Sequence, residues 1–431
     1  MPPMILTYSR APGVELLHTA LCYTTTCMES RKQPLRILAL THCPPEEPCT
    51  FARIYTPLRA LEAMGEVEYT LEPIWPWRAA AFQRLLRDLP NWDIVWVARP
   101  RHYLMLPLMR EARRVGTPVL VDIDDWLLEE PDSFDALQWV GTRTSQDTTR
   151  RSILAADAVT ASTPIIAERC AALGVRAHVV PNAVDCRQFT RLSRDHGILT
   201  IAFCGTIAHR DDVPLIAPAL RQLLHTHAGQ VRVVTVACPI PDLQGMDAYT
   251  HHAFVPATDY PRLLSELRID IGLAPLYDTS FNRARSDIKY LEYSATGAAT
   301  IASPVVAYRD TVQEDRGVLV HENTAEAWAE AILRLVDDAP LQRRRANNAY
   351  EWVRGERSIE ATAHTWLALF RHYADEFGTR GRSKIGQDDP GRLERVLEHI
   401  ILRQAPYYGG ALPSLLARRL LHKVRERAAG D

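Results

Sequence analysis

The residues between positions 275 and 303 combine a predicted strand, a helix start and an isolated lysine. The apolar run IGLAPL precedes the loop, and a helix is predicted to begin near Ser286, which is a good N-cap residue. Backbone N–H groups at a helix start have no partner within the helix and can hold an anion. Lys289 lies in the first turn, and Glu292 follows on the same face. We therefore expect an anion site here, although a solvated surface ion pair has the same spacing.

A second candidate anion site is the turn that follows the apolar run LTIAFC. Gly205 allows close approach to the backbone, and the N–H groups around Thr206 can cradle a phosphate. Asp212 or its neighbour is expected to cap the helix that follows. Arg210, or Arg285 upstream of the lysine, can supply a basic side chain. The alternative is an ordinary turn whose glycine serves only the backbone conformation.

Three carboxylates lie at the carboxyl end of the predicted strand PVLVDID (118–124). Asp122, Asp124 and Asp125 would repel one another unless a cation, hydrogen-bond donors or protons offset their charges. Two arginines, Arg53 and Arg99, follow other predicted strands and are candidates to enter the same cleft, or to form surface ion pairs. The carboxylates can instead cap the loop, and their spacing also resembles a haloacid-dehalogenase nucleophile loop. That last pattern requires Thr or Val where Asp125 stands.

Short apolar runs alternate with amphipathic stretches from about residue 35 onward, which is typical of βα units around a parallel sheet. A first series of predicted strands covers residues 36–42, 67–74, 93–99, 118–124, 158–163 and 178–184. A second series covers residues 198–205, 231–238, 251–257, 269–276, 298–303 and 317–320. The sequence therefore predicts an α/β protein with two tandem doubly wound (Rossmann-like) parallel-sheet domains facing a cleft.

The polar stretch at 191–197 marks the predicted joint between these domains. The expected organisation is an N-terminal extension (1–34), a first domain (35–190), a second domain (191–356), a long helix packing back across the domains (357–376), and a linker with a helical tail (377–431). Parallel sheets bind ligands outside the carboxyl ends of their strands. The candidate residues all lie at such ends, so we expect them to line the cleft.

Several segments together resemble the GT-B glycosyltransferases of the group-one, family-four set, which use nucleotide-diphosphate sugars. They are VVPNAVD (179–185), AFCGTIAHRDDVPLIAPAL (202–220), and a helix with Lys289 and Glu292 followed by Gly297 and a strand that ends at Ala302 and Ser303. The resemblance extends over residues 35 to 376. It implies that the second domain holds the nucleotide sugar and the first domain holds the acceptor.

The resemblance also implies roles for individual residues. Lys289 would contact the donor's diphosphate, Glu292 would bind the ribose, and Asp124 would occupy the position of a sugar-contacting histidine. The predicted catalytic residues are Lys289, Asp124 and Arg210; the predicted donor contacts are Gly205, Thr206, Arg285, Ser286, Lys289 and Glu292; the predicted acceptor or sugar contacts are Asp122, Asp125, Arg53 and Arg99. The family's first glutamate is absent, because Ala284 stands there.

The composition bears on binding partners, metals and cellular location. Of 431 residues, 47% are hydrophobic and 24% charged, and the net charge of -2 gives no reason to expect a nucleic-acid partner. The eight cysteines have no zinc-binding spacing, and no cofactor or metal is expected. No signal peptide or long apolar run is evident, which predicts a cytoplasmic protein. The basic amphipathic stretch 412–427 predicts a helix that contacts a membrane surface or packs on protein.

The expected reaction is transfer of a sugar from a nucleotide-diphosphate sugar to an acceptor hydroxyl, with retention and without a metal. The acceptor can be a saccharide, a lipid-linked molecule or a protein. Two alternatives share the architecture: a nucleotide-sugar epimerase, which needs no acceptor, and a catalytically silent nucleotide-sugar-binding subunit.

Overall fold

The structure is a computed structural model that describes residues 14–16, 33–73, 79–102, 104–128, 143–192 and 197–378. The first sheet is built from the strands β1 (Val14–Leu16), β2 (Leu35–Thr41), β3 (Val67–Pro73), β4 (Ile94–Ala98), β5 (Val119–Ile123), β6 (Ala158–Ala161) and β7 (Ala177–Val179). All neighbouring strands are parallel, and their order is β1-β7-β6-β5-β4-β2-β3.

Helices cover the faces of this sheet. They are α1 (Pro48–Thr50), α2 (Thr56–Ala63), α3 (Ala79–Asp88), α4 (Met105–Arg114), α5 (Arg143–Ala155) and α6 (Pro164–Ala172), with a π-helical turn at Phe51–Tyr55 and 3-10 turns at Leu89–Asn91 and Cys186–Gln188. The central strands β4 and β5 are buried along their whole length. Continuous apolar runs of this kind are what a parallel sheet covered on both faces requires.

The second sheet is also parallel throughout. It contains β8 (Leu199–Gly205), β9 (Val231–Ala237), β10 (Tyr249–His252), β11 (Ile271–Ala274), β12 (Ala299–Ala302) and β13 (Val318–Leu319), in the order β10-β9-β8-β11-β12-β13. Its helices are α7 (Ala217–Thr226), α8 (Tyr260–Glu266), α9 (Ser280–Arg283), α10 (Ile288–Thr296), α11 (Val306–Arg309), α12 (Ala325–Asp337) and α13 (Ala339–Glu356), with 3-10 segments at Ile207–Leu215 and Pro241–Leu243.

The last described helix, α14 (Ile359–Gly378), returns to the first domain. Trp366 lies 4.8 Å from Trp96 of β4 between ring centroids, and Phe370 lies 5.0 Å from the same ring. These side chains belong to a buried cluster with Leu35 and Ile37 of β2. The helix predicted at 357–376 is therefore present and completes the core of the first domain.

The predicted fold class is confirmed, with differences at three strands. The strand predicted at 178–184 ends at Val179. Residues 14–16, predicted to lie in a separate extension, form a strand at the edge of the first sheet, where Val14 pairs with Ala177. The strand predicted at 251–257 ends at His252. The helix predicted at 412–427 lies outside the described residues. Among the residues that are described, no helix is long and apolar enough to span a bilayer.

Candidate functional site

A cleft of about 680 Å³ lies between the two sheets. Its walls are built from residues that follow the carboxyl ends of β2, β4 and β5 on one side and of β8, β9 and β11 on the other. Direct contacts close the domains around it: Ala257 N donates to Glu46 O (2.7 Å), and Asn182 Nδ2 donates to the Ser286 hydroxyl (2.7 Å). Most of the predicted site residues therefore line this one cleft, and the exceptions are Arg210 and Asp122.

The helix that presents Lys289 begins two residues later than the sequence predicts. Its first residue is Ile288, and Asp287 occupies the N-cap position without a side-chain cap. The Asp287 carboxylate is held by Arg357 (2.8 and 2.9 Å). Ser286 instead accepts a hydrogen bond from the first domain. The N–H of Tyr290 already donates to the Asp287 carbonyl (2.9 Å), whereas the N–H groups of Ile288 and Lys289 lie too early in the helix to have an intrahelical acceptor. Both of these residues line the cleft.

Lys289 is buried beside the end of β8. Its Nζ donates to the carbonyl oxygen of Cys204, and a Cβ added to Gly205 would lie 3.2 Å from this Nζ and 3.1 Å from His209 Cδ2. A larger residue at this position would push the ammonium and the imidazole a few tenths of an ångström away from the strand end. Burial lowers the pKa of Lys289, while the nearby Glu292 carboxylate opposes that shift. A buried ammonium with one backbone acceptor can still donate to an anion in the cleft.

Arg285 is the second cation of this wall. Its Nη1 lies 2.7 Å from Nε2 of His209, and its side chain lines the cleft. Arg210, predicted as the catalytic cation, is exposed and does not line the cleft. The reason is the 3-10 turn after β8, which points His209 inward and the next side chain outward. Of the two candidate cations, the structure therefore places Arg285, and not Arg210, at the cleft.

Glu292 also lines the cleft, one helical turn after Lys289. Burial raises the pKa of Glu292 to about 7, against the opposing effects of Lys289 and a hydrogen bond from Tyr260. Tyr260 belongs to α8 and also lines the cleft. A carboxylate that lines the cleft can accept hydrogen bonds from ligand hydroxyl groups. This is compatible with the ribose contact that the family resemblance implies for Glu292.

Arg53 lines the cleft and Asp122 does not, and these two predicted acceptor contacts are paired with each other. Arg53 Nη2 lies 2.7 Å from Asp122 Oδ1 and Nε 3.1 Å from Oδ2, and both side chains are at most 3% exposed. Arg53 Nη1 donates to the Val180 carbonyl (2.6 Å), and Thr160 donates to Asp122 (2.6 Å). Their hydrogen-bonding capacity is used inside the protein, so this pair ties the α1–α2 segment to the sheet.

Arg99, Asp124 and Asp125 form a second ionic cluster, and this one faces the cleft. Arg99 donates to both oxygens of Asp124 (2.6 and 2.8 Å) and to Asp125 (2.6 Å), from a left-handed backbone conformation with φ of 44°. Burial alone would raise the pKa of Asp124, but the Arg99 guanidinium outweighs it and holds this pKa below its usual range. Asp124 is therefore ionised, and both side chains line the cleft where ligand hydroxyl groups can reach them.

Ala284 lies at the contact between the domains. It is fully buried against the core of the first domain, and its carbonyl accepts a hydrogen bond from the Thr163 hydroxyl (3.1 Å). A glutamate here would place an uncompensated charge among apolar side chains. The carboxylate that lies near Arg285 is Asp212, which was predicted only as a helix cap.

His209, Tyr260 and His42 line the cleft without having been predicted there. Burial and the neighbouring Arg285 lower the pKa of His209 well below its usual value, and burial with Arg101 lowers that of His42 to about 4. Both imidazoles are therefore neutral. His42 and His209 each follow a predicted strand end, which is the signal that would have found them. Across the described part of the chain, no group of three or more His, Cys, Asp or Glu is placed to hold a metal.

Two family models match the chain. One, described as a glycosyl transferase 4-like domain, matches residues 11–183, and the other, described as glycosyl transferases group 1, matches residues 199–338. Together they cover well over half of the chain, one on each sheet. The chain therefore belongs to the group 1 glycosyltransferases, enzymes with the GT-B fold. This assignment favours glycosyl transfer over the epimerase and silent-subunit alternatives.

Solved structures show the same fold at low sequence identity. HepE from Anabaena, in complex with UDP and glucose, is 12% identical, with a TM-score of 0.56 over 78% of this chain and 100% of its own. Sucrose-phosphate synthase from Thermosynechococcus elongatus is 16% identical (TM-score 0.56; 79% and 100%). An α,α-trehalose 6-phosphate synthase from Burkholderia multivorans is 13% identical (TM-score 0.51; 80% and 99%). No curated protein sequence matches the chain at a significant level.

Proposed function

We propose that this glycosyltransferase uses a nucleotide-diphosphate sugar and binds its diphosphate between Lys289, Arg285 and the first turn of α10. The observation that carries the proposal is the convergence of two cations and a helix N-terminus on one wall of the cleft. The complex of HepE with UDP and glucose supports UDP as the first nucleotide to test. Glu292 is proposed to bind the ribose.

The proposed reaction builds negative charge on the departing diphosphate. Lys289, Arg285 and the amides of α10 and of the turn after β8 are already oriented toward the cleft, so they stabilise that charge without reorganising. The acceptor hydroxyl approaches from the first-domain wall, near Asp124 and Asp125. The interdomain hydrogen bonds keep the cleft closed, which limits the water that would otherwise hydrolyse the donor.

A thermal-shift panel with UDP, GDP, ADP and dTDP tests donor binding directly. A ligand that binds only the folded state raises its stability by mass action, about 2.7 kcal/mol at a hundred times its Kd. We expect one nucleoside diphosphate to raise the Tm of the wild type and to raise that of Arg285→Ala much less. No shift with any of the four would remove the proposal.

We propose that transfer retains the anomeric configuration, needs no divalent metal, and serves glycan, polysaccharide or glycolipid synthesis in the cytoplasm. The two cations supply the charge that a metal would supply at a diphosphate. We expect release of UDP from UDP-glucose to be unchanged by a chelator. Loss of activity with the chelator and its recovery with magnesium or manganese would contradict metal independence and direct attention to Asp124 and Asp125 as ligands.

Asp124→Asn is expected to lower turnover by at least ~10-fold, about 1.4 kcal/mol of transition-state stabilisation, while the Tm stays nearly unchanged. The physical reason is that the amide keeps the side-chain shape but cannot stabilise positive charge on the sugar or accept as strongly from its hydroxyls. Asp147→Asn is the control, because it breaks an exposed i,i+4 pair with Arg151 that does not line the cleft, and it should match the wild type. Full activity of Asp124→Asn, or a loss of activity that only follows a fall in Tm, would assign Asp124 a purely structural role.

A further inference from the structure

Asp212 is a buried carboxylate that joins three segments of the donor wall. It lies in the 3-10 segment after β8 and is 3% exposed. Its Oδ1 accepts from the backbone N–H of Tyr277 (2.8 Å) and from Asn282 Nδ2 (3.2 Å), and its Oδ2 lies 3.2 Å from His209 Nδ1. The carboxylate therefore fixes the loop after β11 and the ring of His209 at the same time.

His209, held by Asp212, in turn forms a hydrogen bond with Arg285. Arg285 Nη1 lies 2.7 Å from Nε2 and 3.1 Å from Nδ1 of His209, and a guanidinium can only donate. We assign the shorter contact as the hydrogen bond to the Nε2 lone pair, which leaves the ring proton on Nδ1, 3.2 Å from Asp212 Oδ2. Because the imidazole is buried between two cations, it stays neutral and keeps this tautomer. The three side chains form one chain of donors and acceptors.

Arg285 keeps hydrogen-bonding capacity at the end of this chain. Its Nε is buried without a hydrogen-bond partner among the described residues, and its guanidinium lies 5.0 Å from the centroid of the Phe281 ring. A buried unsatisfied donor is costly unless a ligand satisfies it. The side chain is thus held by His209 on one side and by the phenyl ring on the other, with a donor left for an anion.

We propose that Asp212 and His209 are positioning residues for the donor diphosphate: Asp212 orients His209, and His209 fixes Arg285 in the geometry that meets the leaving group. This inference rests on the proposed function. It also accounts for a carboxylate near the donor site in a chain that has Ala284 where the related pattern has glutamate.

The protonation of Asp212 gives this role a measurable signature. Burial raises the pKa of Asp212 to about 6, although Tyr277 N–H, Arg285 and Asn282 oppose the shift. Above that pH the carboxylate accepts from His209, and below it the added proton removes the acceptor. The charged or titratable groups around it are Arg285, Lys289, Asp211, His209, Cys238 and Tyr308. Glu292, with its pKa of about 7, titrates in the same range and is common to wild type and variants.

The test is the pH profile of kcat/KM for release of UDP from UDP-glucose, measured from about pH 5 to pH 8.5. Asp212→Asn is expected to lower kcat/KM roughly 10-fold at high pH and to lose the fall near pH 6, so that only the change near pH 7 due to Glu292 remains. Asp212→Glu should keep that fall, with a lower plateau. Asp211→Asn, which changes the exposed neighbouring carboxylate, should match the wild type.

A purely structural role for Asp212 predicts a different result. Asp212→Asn and Asp212→Glu would then lower the Tm and reduce activity by one constant factor at every pH, which overturns the inference. If Asp212→Asn does not fold, a wild-type profile for Asp212→Glu at full plateau activity overturns it as well. If the wild type releases no nucleoside diphosphate from any nucleotide sugar, the proposed function itself fails and the inference fails with it.

Discussion

Replacing Lys289 by alanine is expected to lower kcat by about 10²–10³, the scale of removing one preorganised donor to a developing oxyanion. The ammonium is already buried against the Cys204 carbonyl before any ligand arrives, so its position costs nothing during the reaction. Because charge grows on the diphosphate only as the bond to the sugar breaks, the loss should reduce kcat more than donor affinity. Steady-state kinetics of UDP release from UDP-glucose measure both.

Three variants make this prediction specific. Lys289→Arg should recover only part of the activity, because a planar guanidinium does not fit where Gly205 leaves room for a compact ammonium. Glu292→Ala should weaken nucleotide affinity with a smaller effect on kcat, since a ribose contact is the same in ground and transition states. Arg283→Ala removes an exposed cation paired with Asp278 and should leave kinetics unchanged. Unchanged kcat in Lys289→Ala would remove the main reason for placing the donor here.

Asp122→Ala is expected to lower the free energy of unfolding by about 3–5 kcal/mol, the usual cost of leaving one partner of a buried ion pair without its counter-charge. The Arg53 guanidinium would stay among side chains that exclude water, with only Val180 O and Asn182 Oδ1 as acceptors. Urea unfolding measures the change. Because the Asp122 side chain does not line the cleft, the folded variant should keep its kcat.

The control for this second prediction is Glu266→Ala, which breaks the exposed i,i+4 pair with Arg262 on α8. Such a surface pair contributes less than about 1 kcal/mol, so its loss should hardly change the unfolding midpoint. If Asp122→Ala is as mild as Glu266→Ala, and lowers turnover instead, the original prediction of an acceptor contact at Asp122 would be restored.

The fold was predictable from the sequence because buried parallel strands are continuous apolar runs. All twelve predicted strands are present, most of them within two residues at each end. The strand Val14–Leu16 was missed because three residues carry no periodic signal, and its partner Ala177 lies far along the chain. Whether such a short segment forms a strand depends on the distant strand with which it pairs, and the local sequence pattern does not show this.

The candidate site was predictable only in outline. Strand ends marked the loops that line the cleft, and the isolation of Lys289 among arginines pointed to the donor wall. The sequence did not show which arginine faces the cleft. In the 3-10 turn after β8, a rotation by one residue decides whether His209 or Arg210 lies on the inner side, and here it is His209. The pairing of Arg53 with Asp122, across 69 positions, likewise depends on how distant elements pack.

The central claim is that a nucleoside diphosphate binds between Lys289, Arg285 and the start of α10. A crystal structure with the nucleoside diphosphate that the thermal-shift panel selects is the most direct measurement. We predict diphosphate oxygens within hydrogen-bonding distance of Lys289 Nζ and the Arg285 guanidinium, with the ribose at Glu292. A nucleotide bound elsewhere, such as against the Arg99 cluster of the first domain, would contradict the account.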